Sequence, residues 1–392
     1  MTGQAAPPPE SGLVCTVTTL WDTLPNVKNF VGRNLAAGVD HMFVFLDAPA
    51  PHVREYLAQV DEVSVVRTGP QYWQGLRPPR LNGRQMANAN LANALLAPFE
   101  RVRWLFSIDG DECLDVDRDE LVAPDPHEHP AALLTVQEVV SRDRSGRKDD
   151  RVDPTTEQFK RIPTEDELNL LALLGVIDGP TLGQYFRGYV TGKAGVHPTL
   201  DLRLGLHKVW DRSGSDVPLL SSPNWNVLHY DCWSSEEFVR KWTTNATVHG
   251  AHFRGPRERI RQAAAAILDN PATDDDQKQQ LMVHLYEATT ADDVEQLDEA
   301  GVLVTPLEER HRYEPRGLGP DHAAVHRLLD LLVSAGKEPF WARREEHPGT
   351  LFEDLRREGG LDSELDDRLG LVLDRTTTTP SAARHAQAGG NG

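Results

Sequence analysis

Only three cysteines, Cys15, Cys113 and Cys232, occur in 392 residues, and no two of them form a CxxC pair. A disulfide framework and a zinc knuckle are thereby excluded, and the three read as small hydrophobes. Basic charge is scarce as well. The 41 Lys and Arg against 60 Asp and Glu leave a formal charge of −19, which removes the dense basic face that a phosphate-coating nucleic-acid binder needs. Small basic pockets for a single phosphate remain open. Long apolar runs are missing: the longest, residues 14–21 and 41–46, fall far short of the ~18–20 residues of a membrane crossing. The start MTGQAAPPPESG has neither the basic nor the apolar stretch of a secretory signal, so no transmembrane segment and a cytoplasmic location are expected. Glycine is absent where a dinucleotide fold would place its fingerprint, in TLWDTLPN after the first predicted strand, and no GxxxxGK occurs anywhere.

What is present is a chain that can bury a core. Residues 1–11 form a Pro/Ala tail and residues 376–392 lack the apolar side chains that offset ordering entropy, so both are expected to be disordered. Between them no repeat of 20 to 50 residues occurs, which excludes solenoids and propellers. VCTVTTL (14–20) is a β-branched run fit for a buried strand. Pro25 suits a first helical turn, Val27, Val31 and Leu35 recur every four residues, and Gly38 sits where a left-handed cap ends the helix. HMFVFL (41–46) follows as a second strand, completing a βαβ unit. Further strands are predicted at 62–66, at WLFSI (104–108) and at 132–140, with a helix over 84–97. Residues 141–161, dense in charge, read as a solvated excursion, and shorter segments follow at 184–193, 202–210 and 226–230. The expected fold is α/β, a mixed, mainly parallel sheet flanked by helices, spanning residues 12–250. A helical C-terminal region is expected over 251–375, acidic on its surface because residues 274–299 hold nine acids and one lysine.

Ligands of open α/β sheets bind outside the carboxyl ends of the strands. Three predicted strands end near acids: Asp22, Asp47 and Asp109. The densest signal is SIDGDECL (107–114), where Gly110 lets the chain turn tightly between Asp109 and Asp111 and aim both carboxylates at a hard cation. Such an ion would bridge a diphosphate and neutralise the charge that grows as it leaves. The competing reading is a plain Asp-Gly hairpin turn. A calcium loop is excluded, since Leu114 stands where an EF-hand requires glycine.

The βαβ start, NFVGRNLAAGVDHMFVFLDAP (29–49), a polar helix opening with Arg84 and Gln85, WLFSIDGDECL, GKAGVHP, GLHKVW and NVLHYDCWSSEEFVRKW together resemble bacterial family-2-like glycosyltransferases over roughly residues 12–250. These have the GT-A fold and a D-x-D-E motif. The resemblance implies that Asp109 and Asp111, completed by His229, hold a Mn²⁺ or Mg²⁺ ion on a nucleotide-sugar diphosphate, with Glu112 behind them. It implies that Asp22 and Asp47 contact the nucleotide base and ribose, that Arg84 and Gln85 contact the donor, and that Lys193 and His207 bring positive charge toward the diphosphate. A base must take the proton of the acceptor hydroxyl in an inverting displacement, and Glu138 and Asp143 are the candidates. The QxxRW signature of processive synthases is absent, so a non-processive enzyme is expected, its acceptor (a glycan, a lipid-linked glycan or a small molecule) unnamed. Two rivals stand beside it: a nucleotidyltransferase, which would carry a glycine-rich basic loop after the first strand, and a non-catalytic carbohydrate- or partner-binding protein.

Overall fold

A computed structural model describes residues 12–142, 154–247, 255–341, 348–358 and 361–378. Among these, twelve strands form: β1 (Leu13–Leu20), β2 (His41–Leu46), β3 (Val63–Arg67), β4 (Val102–Ser107), β5 (Glu112–Val116), β6 (Ala131–Val139), β7 (Phe159–Lys160), β8 (Lys193–Val196), β9 (Leu202–Leu204), β10 (Val209–Asp211), β11 (Leu220–His229) and β12 (Leu303–Val304). Ten make one sheet in the order β12-β7-β6-β8-β4-β1-β2-β3, with β11 paired to both β6 and β5. The half built from β3, β2, β1 and β4 is parallel, and the other half is mixed. The molecule is thus α/β with helices flanking a mixed sheet, an arrangement compatible with a Rossmann-like fold.

Alternation along β1 explains the two-sided core. Leu13, Cys15 and Val17 face one apolar cluster, together with the helix Leu81–Leu96, while Val14 and Leu20 face the other, together with the helix Leu24–Ala36. The Leu24–Ala36 helix begins as its sequence predicts: the Thr23 side chain caps it, Pro25 occupies the first turn, and the chain leaves through Gly38 at φ +101°. Helix Leu81–Leu96 is buried along most of its length although it is rich in asparagine. Its amides find partners: Asn88 bonds Thr19 and Tyr72, and Asn90 pairs with the backbone of Leu204.

The C-terminal helices differ from the expected appendage in how they are joined. Helix Ser235–Thr247, on the near side of the expected boundary, shares a small core with Pro256–Leu268 and Asp275–Thr289 through Phe238, Trp242, Ala264, Met282 and Tyr286. Strand β12 then returns to the main sheet beside β7, and helix His322–Ser334 packs on Leu81–Leu96 within the apolar cluster on that face of the sheet. The apolar stripe of His322–Ser334 is thus satisfied by the sheet domain, whereas Pro256–Leu268 and Asp275–Thr289 bury theirs against each other and Ser235–Thr247. The boundary near 250 lies outside the described residues. Among the described residues no helix is long and apolar enough to cross a membrane.

Candidate functional site

Chain geometry first places Asp109 and Asp111. Strand β4 ends at Ser107, and its continuation is held by Thr18 Oγ1 donating to the Ile108 carbonyl. The turn then passes Gly110, where a Cβ would meet the end of the Leu20 side chain and push it aside, so glycine lets the turn pack closely on β1. The turn leads straight into β5, which the sequence reading had not separated from it. Strand β5 pairs with β11 so that Glu112 lies opposite His229, and β11 pairs with β6 so that His229 lies beside Glu138, which in turn faces Lys160 on β7. Neighbours in register on adjacent strands share a face. A row of four ionisable side chains therefore crosses the sheet behind the turn.

The row is buried and charged. Glu138 is 1% exposed. It accepts from the Arg187 and Gly188 N–H groups at 2.8 and 2.6 Å and pairs with Lys160 at 3.0 Å, which also holds Asp292 at 3.0 Å. Burial opposes its charge, but Lys160 and His229 outweigh it and hold the carboxyl at about 2. His229 lies between Asp111 (Nε2 to Oδ2, 3.7 Å) and Glu138 (Nδ1 to Oε2, 3.8 Å). Burial disfavours its charge, yet the flanking Asp111, Glu138 and Asp231 raise it to about 10, so it is an imidazolium at neutral pH. Gly188 packs against the imidazole so closely that a Cβ there would collide with it. Burial, with Asp109 adding to it, pushes Glu112 up to about 7 against the pull of Lys193. Its Oε2 accepts the Asp109 N–H at 2.7 Å, while its buried Oε1 lacks a hydrogen-bond partner, although Lys193 stands 3.4 Å away.

In front of this row the two aspartates are each matched by a lysine. Lys193, 3% exposed in its side chain, donates to Asp109 Oδ2 at 2.6 Å, and Gln85 donates to Oδ1 at 2.5 Å. Lys241 donates to Asp111 Oδ2 at 3.1 Å and to Asp231 Oδ1 at 2.6 Å, and Arg257 holds the other oxygen of Asp231 at 2.6 Å. Burial works against the Asp111 charge, but Lys241 and His229 together hold its carboxyl well below the usual range. Cys232 adopts a left-handed φ of 49°, which turns the chain from β11 into the helix carrying Lys241. Ser234 caps that helix by accepting from the Glu237 N–H at 3.3 Å. Tyr189 gathers the neighbouring rings: His207 and His229 lie tilted against it with centroids at 5.0 and 5.2 Å, and the Lys193 ammonium lies 4.8 Å from its ring centre.

A solvent-open cleft of about 490 Å³ runs along this edge, walled by Asp22, Arg33, Asp111, Glu112, Arg240 and Lys241 among others. Asp22 accepts from the Thr23 N–H at 2.6 Å and from Asn26 at 3.0 Å, and pairs with Arg240 at 3.1 Å. Burial raises its pKa despite that arginine. A second cleft, of about 550 Å³, lies by helix Leu81–Leu96 and is lined by Asn93, Thr199, Leu200, Arg203 and Phe352, with none of the strand-end acids.

Set against the sequence expectations, Asp22, Asp111, Asp109, Gln85, Lys193 and His229 come together. His207 lies at their margin, its Nδ1 2.6 Å from the Gly192 carbonyl, and burial lowers its pKa. Asp47 and Arg84 do not face the cleft. Arg84 grips both oxygens of Asp47 at 2.8 to 3.1 Å, with Arg77 adding a bond at 3.1 Å, and these two would have to part before either met a nucleotide. Glu138 is corrected as a base: it is buried, ion-paired and held ionised far below neutrality, so it anchors the row instead of taking a proton. Asp143 lies outside the described residues. Lys241, Arg240, Asp231, Arg257 and Tyr189 were missed. The basic pair Arg240-Lys241, one helical stretch after His229, was the visible signal for two of them.

The divalent cation fits this arrangement poorly. Both aspartates already carry an ammonium partner, the His229 ring lies between the carboxylates of Asp111 and Glu138, and among the described residues no group of three or more His, Cys, Asp or Glu is arranged to hold a metal. No protein-family model and no curated protein matches the chain.

Proposed function

We propose that this protein is a glycosyltransferase on a GT-A-like fold that moves a sugar from a nucleotide-diphosphate sugar to an acceptor hydroxyl by a single inverting displacement. One observation carries the reading: the Asp109–Glu112 turn at the carboxyl edge of the parallel strands meets Lys193 and Lys241 beside a solvent-open cleft that Arg240 also lines. The acceptor oxygen attacks the anomeric carbon. The new C–O bond forms as the bond to the diphosphate breaks, and its electron pair leaves with the nucleoside diphosphate. Cationic side chains facing that leaving group stabilise the charge as it develops. With Glu138 engaged elsewhere, Asp143 is the proposed base that receives the hydroxyl proton. Asp22 lines the cleft wall, and in this reading its carboxylate accepts from the base or ribose of the nucleotide.

A thermal-shift screen of UDP-, GDP- and TDP-sugars, with and without Mn²⁺, tests the reading. Stabilisation by one nucleotide sugar supports it. Stabilisation by nucleoside triphosphates alone selects a nucleotidyltransferase, and a response to free glycans alone selects a binding protein.

A further inference from the structure

Resting on that reading, we propose that Lys241, with Lys193 neutralising Asp109 behind it, takes the place of a divalent cation, so that the donor's diphosphate is bound by a fixed ammonium group and binding does not require metal. The departure from the D-x-D expectation lies in geometry. A cation between Asp109 and Asp111 would have to displace both Lys193, at 2.6 Å from Asp109, and Lys241, at 3.1 Å from Asp111. Neither lysine can move off easily. Lys193 starts strand β8 in the middle of the sheet, is buried, and packs over the Tyr189 ring. Lys241 is tied by its second bond to Asp231, which Arg257 fixes from the neighbouring helix.

The two lysines divide the work. Lys193 neutralises Asp109 from beneath and approaches Glu112 at 3.4 Å, so the acids of the turn no longer repel an incoming anion. Lys241 is on the cleft wall. An ammonium has three N–H groups, and its bonds to Asp111 and Asp231 use two, which leaves one for a phosphate oxygen. Arg240, the adjoining residue, lines the same cleft and already turns toward Asp22 and Glu237. A diphosphate entering there meets positive charge that is held in place before it arrives, the condition under which electrostatic stabilisation costs least reorganisation. Asp231 and Arg257 act through Lys241 as positioning residues.

Binding of UDP, GDP and TDP to the full-length protein, measured by isothermal titration calorimetry in excess EDTA and again in Mn²⁺, tests this. The expected result is that the nucleotide that binds does so in EDTA with an affinity within about threefold of that in Mn²⁺, and that Lys241→Met weakens it about ten- to a hundredfold in EDTA, as loss of a bond to a charged group should. Binding that vanishes in EDTA and returns with Mn²⁺ overturns the lysine inference and leaves the glycosyltransferase reading intact. No binding by any of the three in either condition overturns both. The wild-type arm decides between metal and lysine whether or not the variant folds, and Lys241→Arg, which keeps the charge, should retain more affinity than Lys241→Met.

Discussion

Carboxylates meet cations at both ends of the parallel strands, yet the two ends are built differently. At the amino edge Asp40, fully buried, accepts from the Val14 N–H at 2.8 Å, Arg118 at 2.6 Å, Arg316 at 3.0 Å and the Tyr313 hydroxyl at 2.6 Å. Burial opposes its charge, but these donors together hold its carboxyl below the ordinary value. Every lone pair is used, and the bonds tie residues 313–316 back onto the sheet. At the carboxyl edge Asp109 and Asp111 stay about a third exposed, at 31% and 32%, and beside them Glu112 Oε1 and the Tyr189 hydroxyl are buried without a hydrogen-bond partner. A saturated cluster holds a fold together, whereas an unsaturated one open to a cleft has capacity left for a ligand.

Substitutions at the two ends should separate these roles. Asp40→Ala strands Arg118 and Arg316 and should cost about 3–5 kcal/mol of stability, read as a drop in the urea midpoint. Asp111→Asn unpairs Lys241 and His229 only in part, since Lys241 keeps its bond to Asp231, so it should cost less stability, about 1–2 kcal/mol, while lowering sugar transfer because Lys241 is held less firmly toward the diphosphate. Equal losses of stability at both positions would erase the distinction.

Histidines give a finer contrast. His229 is charged because carboxylates flank it, whereas burial, helped by His326 and His322, depresses His41 to about 3. His41 Nε2 lies 2.8 Å from Ser64 Oγ, which also meets His326 at 3.2 Å. The unfolded chain takes up a proton near pH 6.5 that native His41 refuses, so the stability His41 contributes is present above pH 6.5 and falls away as pH drops toward 3. Between pH 6.5 and 5 the wild type should lose about 2 kcal/mol more than His41→Asn does, measured by urea unfolding at each pH. The smallest effect is expected for Tyr313→Phe, about 1 kcal/mol, since three donors to Asp40 remain.

The first βαβ unit was legible because its signals are local: β-branched runs in β1 and β2, Pro25 and Gly38 at the helix ends, and Gly110 between two acids. What escaped the sequence is register. That Glu112, His229, Glu138 and Lys160 form one row depends on β5, β11, β6 and β7 meeting in a mixed sheet, and those residues are up to 117 positions apart. β5 itself was hidden because DECLDV lacks the apolar-polar alternation of a half-buried strand and follows directly on a turn. Asp47 and Arg84 likewise read as ligand contacts until their mutual pairing is seen, for nothing in a linear chain shows that two opposite charges satisfy each other.

Hydrogen exchange in the presence and absence of the nucleotide sugar that binds tests the site most directly, since amides closed in by a ligand gain protection. Slowed exchange over Ser107–Glu112 and Tyr230–Lys241, with none at the Asp40 edge, is the result predicted. Protection confined to the cleft around Asn93 and Arg203, or to residues 313–316, would contradict it.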